Sequence, residues 1–500
     1  MAASLATRIA EQHAAAAASL PGDVVSGERR RSAIETLAVE GLPTTRDENW
    51  KYANLRPLDK VRFAPLAGAG AATAGSLPGV TPADLPAAVK DYARYVFVDG
   101  VFVPSLSAAV GKNGITVSTH RDSRADTLPS AAALAAMGRS ARAATGGSAS
   151  AAATLDAPAT VHSTPASVGR PASATAGPGA SPVVSALTAV GAPAKNDARF
   201  ALLNDAFATD GATIKVAANT DCPTCIELVF VAQVESQTAS SYPRVDLHVE
   251  ANARVGLIER HVSVGSGANF VNAAVRVDIA RGATVNHYLV QESGAKAVWF
   301  NTLSAILAQD AVYKLHAVSV GGLSARSTIN VQLAGERADA SVSMASLGDR
   351  QQIQDAFVLV EHVAPRARST QTFRGIAAGR ARVAFNGMVV VRKDAQGTDS
   401  QQSLRGLLAG PDAEIDVRPQ LEIYTDDVRC AHGATAGKLD DNMLFYLLSR
   451  GIDPATAQRL LKWAFLEDVV AKIEVPELRR QIEHSLAGQM QEAAELKELL

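Results

Sequence analysis

The sequence predicts a mainly β protein whose core is a β-helix, a solenoid of stacked coils. Short runs of period-two alternation recur between about residues 196 and 427, the spacing that turns successive side chains to opposite faces of a strand. The small-residue corners Ala253-Arg-Val, Ala283-Thr-Val, Ala311-Val, Ala338-Asp-Ala and Ala367-Arg-Ser lie 30, 28, 27 and 29 residues apart. A fixed period of this size marks a solenoid or a propeller, and propeller blades need roughly 40–50 residues, so the shorter unit favours stacked coils. The chain is 47% apolar yet holds only 3 Trp, 8 Tyr and 13 Phe. Its apolar mass is therefore alanine, valine and leucine, which suits thin coils. A β-sandwich is the alternative.

Taken in chain order, residues 1–142 form an N-terminal helical or mixed region. Ile34, Leu37 and Ala38 fall at helical spacing within Gly27–Glu40, and Gly41 can cap the end. In the following loop, Trp50 and Tyr52 are read as pinning the chain to the body. Residues 143–194 are almost wholly Ala, Ser, Thr, Gly, Pro and Val, with Asp156 and Arg170 as the charges. Such a stretch buries too little to offset its ordering entropy and is expected to be a disordered linker. Residues 195–437 make the β core. Each of its corner alanines follows a turn-prone or polar residue: Asn252, Gly282, Asp310, Arg337 and Arg366. Val245, Leu247 and Val249, then Val275, Val277 and Ile279, mark strands. The clearest strand is Glu414 to Tyr424, where Ile415, Val417, Pro419, Leu421 and Ile423 form one face to be buried.

Residues 438–500 change to helical period. Asp440 or Asp441 caps a helix that is apolar nearly all round, from Met443 to Leu448, so it is buried or lies in an interface. Asp453-Pro454 starts a second helix with Leu461, Phe465, Val469 and Ile473 in one stripe. Leu478, Ile482, Leu486 and Met490 continue a third.

The 48 basic and 50 acidic residues leave a net charge of −2, without the basic excess of a nucleic-acid or membrane-surface binder. Three cysteines fit a reducing compartment rather than a disulfide scaffold. No apolar span or signal segment is evident, so the expected location is the cytoplasm.

Cys222-Pro-Thr-Cys225 has the spacing of a redox or zinc pair but lacks further ligands and precedes a strand, so two loop cysteines is the plainer reading. Gly433 to Leu439 differs from a phosphate-binding loop in spacing and has Leu439 where a hydroxyl must meet magnesium. Cys430 and His432, at i and i+2 after the clearest strand, point to one face. A thiolate and an imidazole together suit a soft metal or sulfur transfer. On the residues alone, a small buried thiol beside a hydrogen-bonded histidine is the more ordinary reading. His248, His261, His287 and His316 read individually as surface or satisfied positions.

Leu421-Glu-Ile-Tyr-Thr-Asp-Asp-Val-Arg-Cys430-Ala-His432-Gly-Ala-Thr-Ala-Gly437, running on to Ile452, closely resembles the C-terminal signature of the SufB/SufD family of iron–sulfur cluster assembly. Glu48-Asn-Trp-Lys-Tyr52, Tyr242-Pro-Arg-Val and Gly256-Leu-Ile-Glu-Arg-His261 agree with it, and the cysteine-and-HGAT form resembles the SufD branch. The resemblance implies a right-handed parallel β-helix with flanking helices and a non-catalytic scaffold subunit. It implies pairing with a SufB-type paralogue through the β-helix and with a SufC-type ATPase through the C-terminal helices, at Leu444, Phe445, Leu447, Arg450, Leu461 and Phe465. ATP hydrolysis belongs to that partner, and sulfur comes indirectly from a cysteine desulfurase. His432, then Cys430, become the residues expected to face iron or a transient iron–sulfur cluster at the shared interface. A reduced flavin and a homodimer in isolation are compatible with the family, though no residue marks a flavin site. Residues 143–194, Cys222, Cys225 and Ala431 depart from the pattern. The alternative function, an independent β-helix enzyme acting on carbohydrate, needs a paired-carboxylate face that the sequence does not display.

Overall fold

The computed structural model describes residues 5–22, 24–65, 79–119, 197–233 and 239–490; the expected linker at 143–194 lies outside them. Among the described residues, two ten-stranded sheets face each other along the chain. One runs from Asp221–Gln233 through Arg254–Val264, Thr284–Ser293, Val312–Gly321, Asp339–Gly348, Arg368–Ala377 and Thr398–Leu408 to Val428–Gly437. The other runs from Arg244–Val249 through Asn269–Ile279, Val298–Leu307, Ser324–Leu333, Ile353–His362 and Arg382–Val391 to Glu414–Ile423. Successive strands alternate between the sheets and pair in parallel one coil later, as Thr284–Ser293 does with Val312–Gly321. This is a parallel β-solenoid. The sandwich alternative falls, because its adjacent strands would run antiparallel.

The corners explain the period. Asn252, Gly282, Asp310, Arg337 and Arg366 all sit at φ between 56° and 69°, and each following alanine is fully buried. The left-handed residue turns the chain, and the alanine fits inside the bend. Corner N–H groups donate to the next coil: Gly282 to Gln309 O (2.9 Å), Asp310 to Glu336 O (2.9 Å) and Arg366 to Gln396 O (2.7 Å). These bonds offset left-handed backbone that costs roughly 1–2 kcal/mol in a non-glycine residue. Between the sheets, Val285, Leu289, Leu303, Leu315, Ile329, Val342 and Val358 form an aliphatic interior.

The N-terminal residues close one end and one face. Ala93–Val98 pairs in parallel with Asp221–Gln233, and Ile115–Thr119 pairs antiparallel with Ala212–Val216. Helices α1 (Leu5–Ala16), α2 (Gly27–Glu40) and α3 (Arg199–Phe207) bury Ile9, Leu37, Phe200 and Phe207 in one cluster with Phe270 and Phe300 of the second sheet. Trp50 pins its loop as expected: it packs on Phe200 at 5.0 Å, and its Nε1 donates to Asp197 Oδ2 at 2.7 Å.

The C-terminal helices are α4 (Asp441–Ser449), α5 (Pro454–Val470) and α6 (Pro476–Gln489). Asp440 caps α4 through Asn442 N (2.8 Å), and Asp453 caps α5 through Ala455 N (3.0 Å). α5 and α6 cover the outer face of the first sheet, where Leu466, Val469, Ile473, Leu478, Ile482 and Leu486 meet Ile258, Tyr288, Val318, Leu347 and Ile376. Among the described residues, no helix is long and apolar enough to cross a membrane.

Candidate functional site

Among the described residues, the solenoid ends uncovered: Glu414–Ile423 and Val428–Gly437 are the last strands of their sheets, each paired there on one side only. The face expected to be buried in Glu414 to Tyr424 is therefore only half-buried, and Ile423 is exposed. Its pattern is right, but among the described residues no further coil exists to cover it.

Cys430 and His432 both lie in Val428–Gly437 at inward positions of this last rung. Cys430 is in register with Ser400 and His432 with Gln402, both of which are buried. The Cys430 thiol is half-buried against the cluster of Val389, Val391 and Ala395, whereas His432 is exposed. Burial and the nearby Asp399 charge push the thiol above its ordinary range, and the Ser400 backbone N–H pulls the other way. Below Cys430 the interior turns polar: His362 Nε2 meets Ser369 Oγ at 2.8 Å, and Ser369 Oγ meets Ser400 Oγ at 2.8 Å. Burial lowers His362 to about 4, so this imidazole is neutral at neutral pH. Among the described residues, no three His, Cys, Asp or Glu side chains gather into a metal-holding group. Cys430 and His432 thus bring two donors to an open edge, where a further surface can add more.

Beside that edge, α4 buries none of its residues. Phe445 is 72% exposed, Met443 58% and Tyr446 56%, a concentration of large apolar side chains unusual on an uncovered surface. Arg450 is exposed, its guanidinium 5.1 Å from the Tyr446 ring. Leu444 and Leu447 are half-buried. Leu461 and Phe465 are half-buried on α5. Of the expected stripe, Val469 and, beyond the helix end, Ile473 are buried; within α5 the buried apolar side chains Leu466, Val469 and Val470 face the sheet, and Phe465 packs at their edge.

Two other sequence motifs resolve differently. Cys222 and Cys225 are not loop residues: they occupy a bulge in Asp221–Gln233, where the register shifts between Cys222 and Ile226. Both are free thiols. Cys225 is buried, and its pKa is raised first by that burial and then by Cys222. Gly433 to Gly437 is extended strand on the open edge, without the strand-to-helix turn of a phosphate loop.

Sequence reading missed an interior network. Glu259 Oε1 lies 2.7 Å from His261 Nε2, Glu259 Oε2 lies 3.2 Å from His287 Nε2, and His287 Nδ1 lies 3.0 Å from Tyr313 Oη. All four side chains are buried. Burial alone would raise the Glu259 carboxyl, but the bonds and charges of His261 and His287 bring it down to about 2. The signal was there: i and i+2 on one strand, then a coil of 30 residues that sets His287 beside Leu257, diagonal to Glu259.

Residues 230–465 match the family model for the SufBD core domain of SUF system FeS cluster assembly. The chain is 28% identical over 453 residues to the iron–sulfur cluster assembly protein SufD of Escherichia coli, covering 90% of this chain and 89% of that one. It is 24% identical over 474 residues to an iron–sulfur cluster assembly SufBD family protein of Synechocystis, covering 92% and 90%. A SufBD family protein of Mycobacterium tuberculosis is 31% identical over 260 residues, half of this chain and 64% of its own length.

Proposed function

We propose that this chain is a SufBD-family protein with a role in iron–sulfur cluster assembly, a SufD-type scaffold subunit that works at the open end of its solenoid; the family-model match and the SufD and SufBD relatives support this reading. The observation that carries this reading is the uncovered last coil, with Cys430 and His432 facing inward on it and the apolar surface of α4 beside it. An unpaired strand edge invites a second β-helix to continue the sheets. A SufB-type paralogue seated there would bring further donors to the Cys430 and His432 rung. Iron or a nascent cluster is then cargo held between the two chains. A thiolate and an imidazole are suited to that cargo because both are ligands of iron and of iron–sulfur clusters.

Phe445 and its neighbours on α4 and α5, Leu444, Leu447, Arg450, Leu461 and Phe465, are assigned to a SufC-type ATPase. In this account the chain does no covalent chemistry, and hydrolysis occurs in that partner. A cysteine desulfurase supplies sulfur indirectly, in the cytoplasm, and no residue is assigned to a flavin. Co-expression with SufB- and SufC-type homologues tests the reading. The three should co-purify, and Phe445→Asp should shed the ATPase while keeping the paralogue. Failure of wild-type chain to retain either partner sinks the scaffold assignment.

A further inference from the structure

Below His432 the interior of the solenoid is built from amides. Gln371 is in register with Gln402, and Gln402 with His432, so the three form one inward file across adjacent strands. Gln371 Nε2 donates to the Met388 carbonyl oxygen at 3.3 Å, and Gln402 Nε2 donates to Gln371 Oε1 at 3.1 Å. A backbone carbonyl can only accept, so Gln371 must present its NH₂ there and its oxygen toward Gln402. Gln402 must in turn give its NH₂ to Gln371. The polarity of the whole file is thus set from the Met388 end.

That polarity leaves Gln402 Oε1 as a terminal acceptor. Gln402 is 4% exposed, and its Oε1 is buried with no hydrogen-bond partner among the described residues. The facing strand makes room for the file: a Cβ on Gly387 would come within 2.5 Å of Gln371 Oε1 and 3.0 Å of Gln402 Nε2. A buried carbonyl oxygen calls for a donor. The side chain on the next rung is the His432 imidazole, which carries one N–H when neutral.

We infer that Gln402 is a positioning residue for His432: the structure forms no bond between them, and a turn of the exposed imidazole onto Gln402 Oε1 gives that oxygen one N–H to accept while the other nitrogen keeps its lone pair toward the open end. This rests on the reading of His432 as a donor to cluster cargo. A ligating histidine is oriented by the partner of its second nitrogen, which selects the tautomer and stops the ring from swinging. The side chains that share its face of the strand are Cys430, whose thiol is a weak hydrogen-bonding group, and Ala434, which has none.

The test uses the full chain labelled with 15N-histidine at a pH where imidazole is neutral, with His432 identified by its loss in His432→Ala. In wild type, His432 should show a single tautomer with one hydrogen-bonded N–H. In Gln402→Met, which keeps the volume and removes the acceptor, its nitrogens should move to the averaged shifts of a free imidazole. Gln371→Met, which lets the Gln402 amide turn over, should fall between. A wild-type tautomer mixture, or identical His432 signals in wild type and Gln402→Met, overturns the inference. If Gln402→Met does not fold, the wild-type tautomer and Gln371→Met decide it. In cells, folded Gln402→Met should lower cluster assembly on the order of tenfold. If His432→Ala leaves assembly intact while the tautomer still depends on Gln402, the hydrogen bond stands and the cargo reading falls. If His432→Ala abolishes assembly and the tautomer ignores Gln402, the reverse holds.

Discussion

Arg326→Met offers the sharpest energetic test of how the N-terminal loop is fastened to the solenoid. Arg326 is 1% exposed, ion-paired to buried Asp355, and donates to the Asn49 carbonyl oxygen at 2.7 Å. Its guanidinium carbon stands 4.3 Å from the centre of the Trp50 ring. Methionine fills much of the volume but leaves the Asp355 carboxylate buried without its ion-pair partner, only the charge of Arg382 still acting on it, which costs up to about 3–5 kcal/mol. The lost cation–π contact adds up to about 2 kcal/mol at a desolvated site. The Arg326→Met/Asp355→Leu double variant removes the stranded charge and should recover all but the cation–π contact and the hydrogen bond to Asn49. Burial already holds the Asp355 carboxyl above its ordinary range despite the Arg326 charge. A raised carboxyl favours the folded state when protonated, so the single variant's deficit should shrink as pH falls from 7 toward 5. Denaturant unfolding at the two pH values, with limited proteolysis across residues 43–56, reads both effects. A double variant as unstable as the single, or a deficit insensitive to pH, would refute the reasoning.

Glu259→Gln should cost about 3 kcal/mol at pH 7, from a carboxyl brought from 4.5 to about 2. That stabilisation is complete above pH 4.5 and is lost as pH falls toward 2, so the gap between wild type and variant must close on acidification; a constant gap contradicts it. Gly282, at φ 69°, turns a corner where a Cβ would lie 2.6 Å from Asn252 Oδ1. Gly282→Ala should therefore lower stability by roughly 1–2 kcal/mol, whereas Gly27→Ala, with nothing within 4 Å, should be neutral or slightly stabilising in the same unfolding assay. Phe445→Asp removes an exposed side chain and should leave the melting temperature unchanged while weakening ATPase-type partner binding at least tenfold by calorimetry; unaltered affinity would take α4 out of that interface.

The solenoid was legible because its corners repeat chemically as well as metrically. A turn-prone or polar residue followed by alanine is a local instruction, and local instructions survive in a single sequence. Strand faces were equally readable where coils cover them, as at Val275, Val277 and Ile279. What escaped depends on stacking across coils. Glu259 and His261 look like an ordinary charged turn of strand until His287 arrives one coil later beneath them. Leu461 and Phe465 have the spacing of core residues, but which side of α5 faces the sheet is set by Ile258, Tyr288 and Leu347, far off in sequence. The bulge at Cys222 and Cys225 likewise depends on the neighbouring strand, where Gly256 admits the Pro223 carbonyl so closely that a Cβ would sit 1.9 Å from it. At the candidate site, motif and spacing placed Cys430 and His432 on one face, while the amide file beneath them required the register of three strands.

The central claim, that the uncovered last coil serves cluster assembly through His432, is tested most directly by His432→Ala in cells that depend on this chain. Activity of an iron–sulfur enzyme is read in parallel with retention of the SufB- and SufC-type partners on the tagged variant. Intact partner retention with enzyme activity lost is the expected result. Full enzyme activity with the partners retained would contradict it.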